Sequence, residues 1–374
     1  MSDFKTDPHS CLIAIMVFMS AADRNMTDKE LFVIGEIVKT LPVFGNFDEN
    51  QLVPTAQSAA EMLEKADSLE GAIAVIADAM PPQLDETAYL IACEVAAADV
   101  GLEVQVYPGQ SLFKANEQWG AMVNGQLDIS AFPLDYASGR HPQFSATLMP
   151  GLVRNHERAA RLNDSAFMDD IKAIIEEAGV VVLADAWLGG AFASKKNCIT
   201  DPESIAGQVT RAAGPAFEQM LVGAGASIAS MPSSEIYTGM QTGVLDATNT
   251  SSGSFVSFRL YEQVVCLTAP GENALWFMYE PILMSKRSWD KLSKEQQDAL
   301  MAAGKVAEEY FAGEAKGLDA KMAEAFKGAG VEVVEMTPEN YDAWLAIAKE
   351  TSYKNFAENV PGGEELIAKA LAVD

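Results

Sequence analysis

Arg211 is the residue in this chain best placed to hold a ligand. It closes the strand-like run Ile205-Ala-Gly-Gln-Val-Thr-Arg211, and Gly214-Pro215 then opens a helix with proline in its first turn. A guanidinium at a strand end presents a planar fork of N–H donors that fits a carboxylate bidentately, although the same side chain also serves in ordinary salt bridges. Further on, Ser227 opens another strand, a helix follows with Gly243 as its C-cap, and a third strand runs into Asn249-Thr250-Ser251-Ser252. Amide and hydroxyl side chains there can hold an anion with free backbone N–H groups, or can do no more than cap the next helix. Trp187, just after the apolar run 180–184, and Trp276 could wall a pocket or fill a core.

Other chemistries find no support. The chain has no GxSxG, Walker, dinucleotide or HExxH motif, so no enzyme is expected and no cofactor is implied. Its three histidines are His9, His141 and His156, and His156, followed by Glu157, has no second His four residues after it. Cys11, Cys93, Cys198 and Cys266 include no CxxC pair and are read as four semi-buried thiols rather than a disulfide framework. A net charge of −27 excludes a nucleic-acid partner, whose phosphates would be repelled. Asp23-Arg-Asn25-Met-Thr27 sets oxygen donors at alternating positions, like the start of a calcium loop, but Asp28 and Ile34 stand where that loop needs Gly and Glu. Asp23 and Asp99 are weak metal candidates for this reason, against the plainer reading as turn or cap residues.

Two textures of sequence position these residues. In 8–100, apolar residues recur at helical spacing in 12–18, 31–38, 59–63, 72–79 and 88–97, with a capping box at Thr27-Asp-Lys-Glu30. Residues 1–100 hold 17 acidic against five basic residues, a net of −12. The apolar run 11–19 is far below the about 20 residues that span a bilayer, and Lys5 is the sole base ahead of it. It is read as a buried helix, with no convincing export signal and no transmembrane helix in the chain. From 101 onward strands and helices alternate. Strands are expected at 102–107, 127–132, 180–184 and 331–334, and helices at 111–124, 155–178, from the capping box Ser293-Lys-Glu-Gln296 to 328, from Thr337-Pro338, and at 364–372.

The stretch from Ile205 to Asp246, with Tyr107-Pro108-Gly109-Gln110, Asn124-Gly125-Gln126-Leu127-Asp128 and Trp289-Asp-Lys-Leu-Ser-Lys-Glu-Gln-Gln297, resembles the solute-binding proteins of tripartite ATP-independent periplasmic (TRAP) transporters, the DctP family, over 101–374. The resemblance implies a two-lobed α/β fold of the periplasmic-binding-protein-like type II class that closes on its ligand by hinge motion. It implies an extracytoplasmic receptor that binds a small organic acid through an arginine–carboxylate pair at Arg211 and hands it to TRAP membrane permease subunits. Such a receptor is periplasmic and does not itself span the membrane. Thr250 stands where the family often has a ligand-binding Asn, with Asn249 and Ser251 beside it. The segment Gly189-Gly-Ala-Phe-Ala-Ser194 lacks the basic residue usual in the family, which points to a solute other than a typical dicarboxylate. The family's first strand–helix unit has no counterpart ahead of Glu103, so an unpaired sheet edge and weakened binding are expected.

Met19-Ser-Ala-Ala-Asp23 and Val95-Ala-Ala-Ala-Asp99 form a faint internal repeat, each closing an apolar helix. With the acidic balance, this pairing resembles the tellurite resistance TerB family over 8–100, a small all-α helical domain that is incomplete here after Val100. That resemblance implies an alternative: an intracellular stress-response or interaction protein, metal-binding at Asp23 and Asp99, cytoplasmic, with a vestigial binding domain.

Overall fold

Helical spacing in the N-terminal segment becomes, among the described residues, the α-helices Pro8–Ser20, Asp28–Thr40, Leu52–Lys65 and Leu69–Ala79. The computed structural model describes residues 6–20, 28–66, 69–80, 91, 101–102 and 104–373. The helix expected at 88–97 (Ile91 excepted), the Thr27 end of the capping box and the Ala-Ala-Asp ends of the repeat lie outside the described residues. Pro8–Ser20 forms the centre of this part. Leu12, Ile13, Met16, Val17 and Phe18 are inaccessible, and Ile34, Ile37, Phe44 and Ile76 share their core. The run 11–19 is thus a core helix, apolar nearly all round because all but the partly buried Ile15 and Met19 are covered. Met1–Pro108 and Ser293–Ala303 make up this unit. Its expected strand at 102–107 does not form. Val104, Val106 and Tyr107 are exposed, and among the described residues no strand pairs with them. Alternation alone cannot make a strand without a ladder partner for the backbone N–H and C=O groups.

The second unit comprises Gly109–Leu292 and Gly304–Asp374. Its strands are β1 (Ile129–Ala131), β2 (Val180–Ala184), β3 (Trp187–Ser194), β4 (Val209–Ala212), β5 (Ser227–Ser230), β6 (Ala247–Ser251), β7 (Cys266–Ala269), β8 (Phe277–Tyr279), β9 (Ile282–Ser285) and β10 (Glu332–Glu335). A small antiparallel sheet runs β1-β9-β2, and a larger one runs β10-β7-β3-β6-β4-β5, with β8 on the start of β3. β4 is parallel to both β5 and β6, so the carboxyl ends of three strands lie side by side. Helices Pro215–Gly223 and Ile236–Gln241 make the crossovers that parallel strands require. β3 is buried at every position, which is why it reads as an unbroken run of apolar and small residues.

Local signals hold across this unit. The segment 155–178 divides into helices His156–Asn163 and Ala166–Glu177, capped by Asn155 and Ser165. Thr337 caps Pro338–Ala348, as its Thr-Pro start requires. In the other unit, Ser293 and Gln296 make both bonds of the expected capping box, at 3.0 and 3.2 Å, at the head of Lys294–Gly328. The last helix, Gly363–Leu371, is held by buried Arg158, whose Nη2 donates to the Ala370 carbonyl at 2.9 Å. The cysteines correct the expectation of free thiols: Cys198 and Cys266 form a disulfide. They stand 68 residues apart in sequence, yet β3 and β7 are neighbours and bring them together. Cys11 is a buried thiol, and Cys93 lies outside the described residues. Among the described residues no helix is long and apolar enough to cross a membrane.

Candidate ligand-binding site

Arg211 stands at the carboxyl end of β4 and is 1% exposed. Its Nε donates to the Met231 carbonyl at 3.0 Å, Nη1 to the Asn249 carbonyl at 2.9 Å, and Nη2 to the Tyr136 hydroxyl oxygen at 3.0 Å. These described partners take three of the five N–H groups a guanidinium carries, and none is a carboxylate. Burial pushes its pKa down from the ordinary range, and Tyr136, Asp135 and Glu218 oppose that push.

Tyr136 is the first residue that sequence reasoning missed. It belongs to the short turn Leu134–Ala137 that follows β1 of the small sheet. Its oxygen accepts from Arg211 and from the Ser233 N–H at 3.0 Å, using both lone pairs of a phenol. One oxygen therefore ties the outlet of the small sheet to the ends of β4 and β5 in the large one.

Asp135, beside it on the same turn, is the second. It is 2% exposed, accepts from the Ser138 hydroxyl at 3.2 Å through Oδ1, and has no hydrogen-bond partner at Oδ2. That oxygen presses against Gly214, the N-cap of Pro215–Gly223, where a β-carbon would stand 1.6 Å from it. Glycine at 214 is thus a matter of space. Burial pushes the Asp135 carboxyl up to about 7; the Ser138 hydrogen bond and the Arg211 charge pull it down, and Glu218 adds to the rise.

The expected polar residues surround Arg211 unevenly. Asn249 is fully buried, its Nδ2 donates to the Arg211 carbonyl at 3.2 Å, and its Oδ1 has no partner. Thr250 is buried one residue further on, opposite Ala191 of β3. Ser251 does what the plainer reading expects: it is the N-cap of Ser252–Ser257 and bonds Ser254. Trp276 is 1% exposed with a partnerless Nε1, and it lies so close over Gly190 that a β-carbon there would be 2.3 Å from its ring. The same β-carbon would stand 2.2 Å from the Thr250 carbonyl, so Trp276, Thr250, Asn249 and Arg211 form one chain of contacts across β3, β6 and β4. Trp187 stands apart, at the other end of β3, its Nε1 donating to Asn163 at 2.7 Å and its ring against Tyr279.

Nothing in this arrangement is built to break bonds. It offers a buried cation, a bare acceptor and a bare donor, which is the equipment for holding a polar solute. The metal candidates Asp23 and Asp99 lie outside the described residues. Among the described residues, the one group of possible metal ligands is Cys198, Cys266 and Glu332, and its cysteines are already bonded to each other.

Comparison with known proteins gives a consistent result. Residues 93–359 match the family described as bacterial extracellular solute-binding protein, family 7. A solute-binding protein of Albidiferax ferrireducens is 38% identical over 280 residues, 75% of this chain and 83% of that protein. A TRAP periplasmic solute-binding protein from Rhodoferax ferrireducens, solved with bound malonate, superposes with a TM-score of 0.73 at 36% identity, covering 77% of this chain and 90% of that one. One from Sulfurospirillum deleyianum, solved with bound succinate, gives 0.65 at 26% identity, covering 73% and 88%. These neighbours share the two-lobed α/β architecture.

Proposed function

This chain belongs to the bacterial extracellular solute-binding proteins of family 7, receptors that serve TRAP transport and catalyse nothing, and on that premise we propose that it holds a small organic acid by its carboxylate at Arg211. One observation carries the reading. A fully buried guanidinium has two carbonyls and a phenol as its described partners, with no carboxylate hydrogen-bonded to it. A buried charge lacking a bonded counter-ion is costly, and a solute carboxylate supplies one with matching geometry. Asn249 Oδ1 and Trp276 Nε1 would hydrogen-bond the rest of the solute, with Thr250 and Ser251 at the strand end and Trp187 as the distant wall. TRAP permease subunits are the partner the family implies.

Calorimetry with malonate, succinate and a set of monocarboxylates tests this. Binding that disappears in Arg211→Met supports the assignment; heat from none of these acids sinks it. Periplasmic residence belongs to the same proposal, and the Cys198–Cys266 disulfide supports an oxidising compartment. Cell fractionation checks it, with a cytoplasmic pool as the contrary result.

We further propose that 8–100 forms a separate helical unit of TerB type, a reading supported by its own hydrophobic core. Calcium titration of the whole chain, followed by calorimetry, tests metal binding at Asp23 and Asp99; an absence of heat ends that part of the proposal.

A further inference from the structure

Asp135 is held in a place where ordinary pairing does not satisfy it. It is 2% exposed, one oxygen bonds Ser138, and the other bonds nothing. The charged groups that act on it come from two other elements. Arg211 at the end of β4 favours its anion, and Glu218 in the helix Pro215–Gly223 disfavours it. Its own turn carries Tyr136, with Ser138 just after it, and Tyr136 is fastened to Arg211 at 3.0 Å. A carboxylate arriving at Arg211 therefore enters the same buried neighbourhood as a second carboxylate. Two such groups, close together and out of water, do not both stay ionised, and one of them takes up a proton.

We propose that Asp135 is the proton-accepting counter-charge of the Arg211 site, so that each carboxylate captured there is accompanied by one proton moving from solvent onto Asp135. This rests on the assignment of Arg211 as the solute's carboxylate ligand. The unpartnered Oδ2 is the atom that receives the proton. Free Asp135 titrates at about 7, so both of its forms are present near neutrality and the linkage operates there. The sign is fixed. Binding raises the Asp135 pKa further, so affinity is highest in acid and falls as pH rises above about 7.

Calorimetry with malonate as probe, run in two buffers of different ionisation enthalpy, counts the protons. At about pH 8 the wild-type chain is expected to take up close to one proton per malonate, and affinity is expected to fall about tenfold from about pH 6 to about pH 8. Asp135→Asn is expected to abolish the uptake and to leave only the pH dependence of malonate itself. Malonate binding without proton uptake at about pH 8 overturns the proposal while leaving Arg211 in place. Binding that is undiminished in Arg211→Met, or no binding at all by the wild type, overturns the Arg211 assignment and the proposal with it. Should Asp135→Asn fail to fold, the infrared carbonyl band of a protonated carboxylic acid decides the matter in the wild type. It is expected to survive at about pH 8 with malonate and to vanish without it; a band indifferent to malonate overturns the proposal.

Discussion

Two buried aspartates receive opposite treatment in this fold. Asp185, just beyond β2 of the small sheet, accepts from Lys172 Nζ at 2.6 Å and from the Tyr279 hydroxyl, and its own N–H donates to Glu308 at 3.2 Å. Asp135 accepts from one serine and leaves an oxygen bare. Arg211, the cation in its neighbourhood, directs its described donors to carbonyls and a phenol. The contrast teaches where the chain completes its ionic pairs. It closes them where elements only need to be joined, and leaves one open at the proposed solute site.

Four substitutions break or sharpen this contrast. The largest effect is expected from Arg211→Met, which should weaken solute binding at least about 100-fold by calorimetry, since it removes one partner of a buried charge pair. A loss under about threefold would erase the contrast. Asp135→Asn comes next and acts on stability. The folded carboxyl is raised to about 7 against an ordinary value of 3.8, so its burial costs nothing below about pH 4, and the full cost is present above about pH 7. The substitution should stabilise the chain at about pH 8 by something on the order of 2–4 kcal/mol and do little at about pH 4, read from urea unfolding at each pH. Lys172→Met opens the closed pair and should cost about 1–3 kcal/mol, reduced from a fully buried pair because Lys172 is partly exposed, with malonate affinity unchanged. Stabilisation by Lys172→Met would mean that the two aspartates are not different in kind. The smallest effect is expected from Tyr136→Phe, about 1 kcal/mol at any pH, since two N–H groups lose one shared acceptor.

Much of this was legible in the sequence because it is local. Arg211 announces itself through a strand that ends beside Gly214-Pro215, and the caps at Ser293 and Thr337 are written within four residues of each helix start. Asp135 and Tyr136 were not legible. They lie about 75 residues upstream of Arg211, in a turn whose composition resembles any other, and acquire their roles only when two sheets meet. The pairing of Cys198 with Cys266 was hidden in the same way, since neither belongs to a spaced motif and only the β3–β7 ladder makes them neighbours. At 102–107 the error ran the other way. Val104 and Val106 alternate as a strand should, but strand character is a property of a pair, and no described strand answers them.

The disulfide has a topological meaning for the site. Between Cys198 and Cys266 lie β4, β5 and β6, and with them Arg211, Asn249, Thr250 and Ser251. Most of the proposed binding equipment thus sits on a covalent ring. A protease that cuts once inside that ring leaves the chain in one piece until a thiol opens it, so the two halves of a nicked receptor would migrate together without reductant and apart with it.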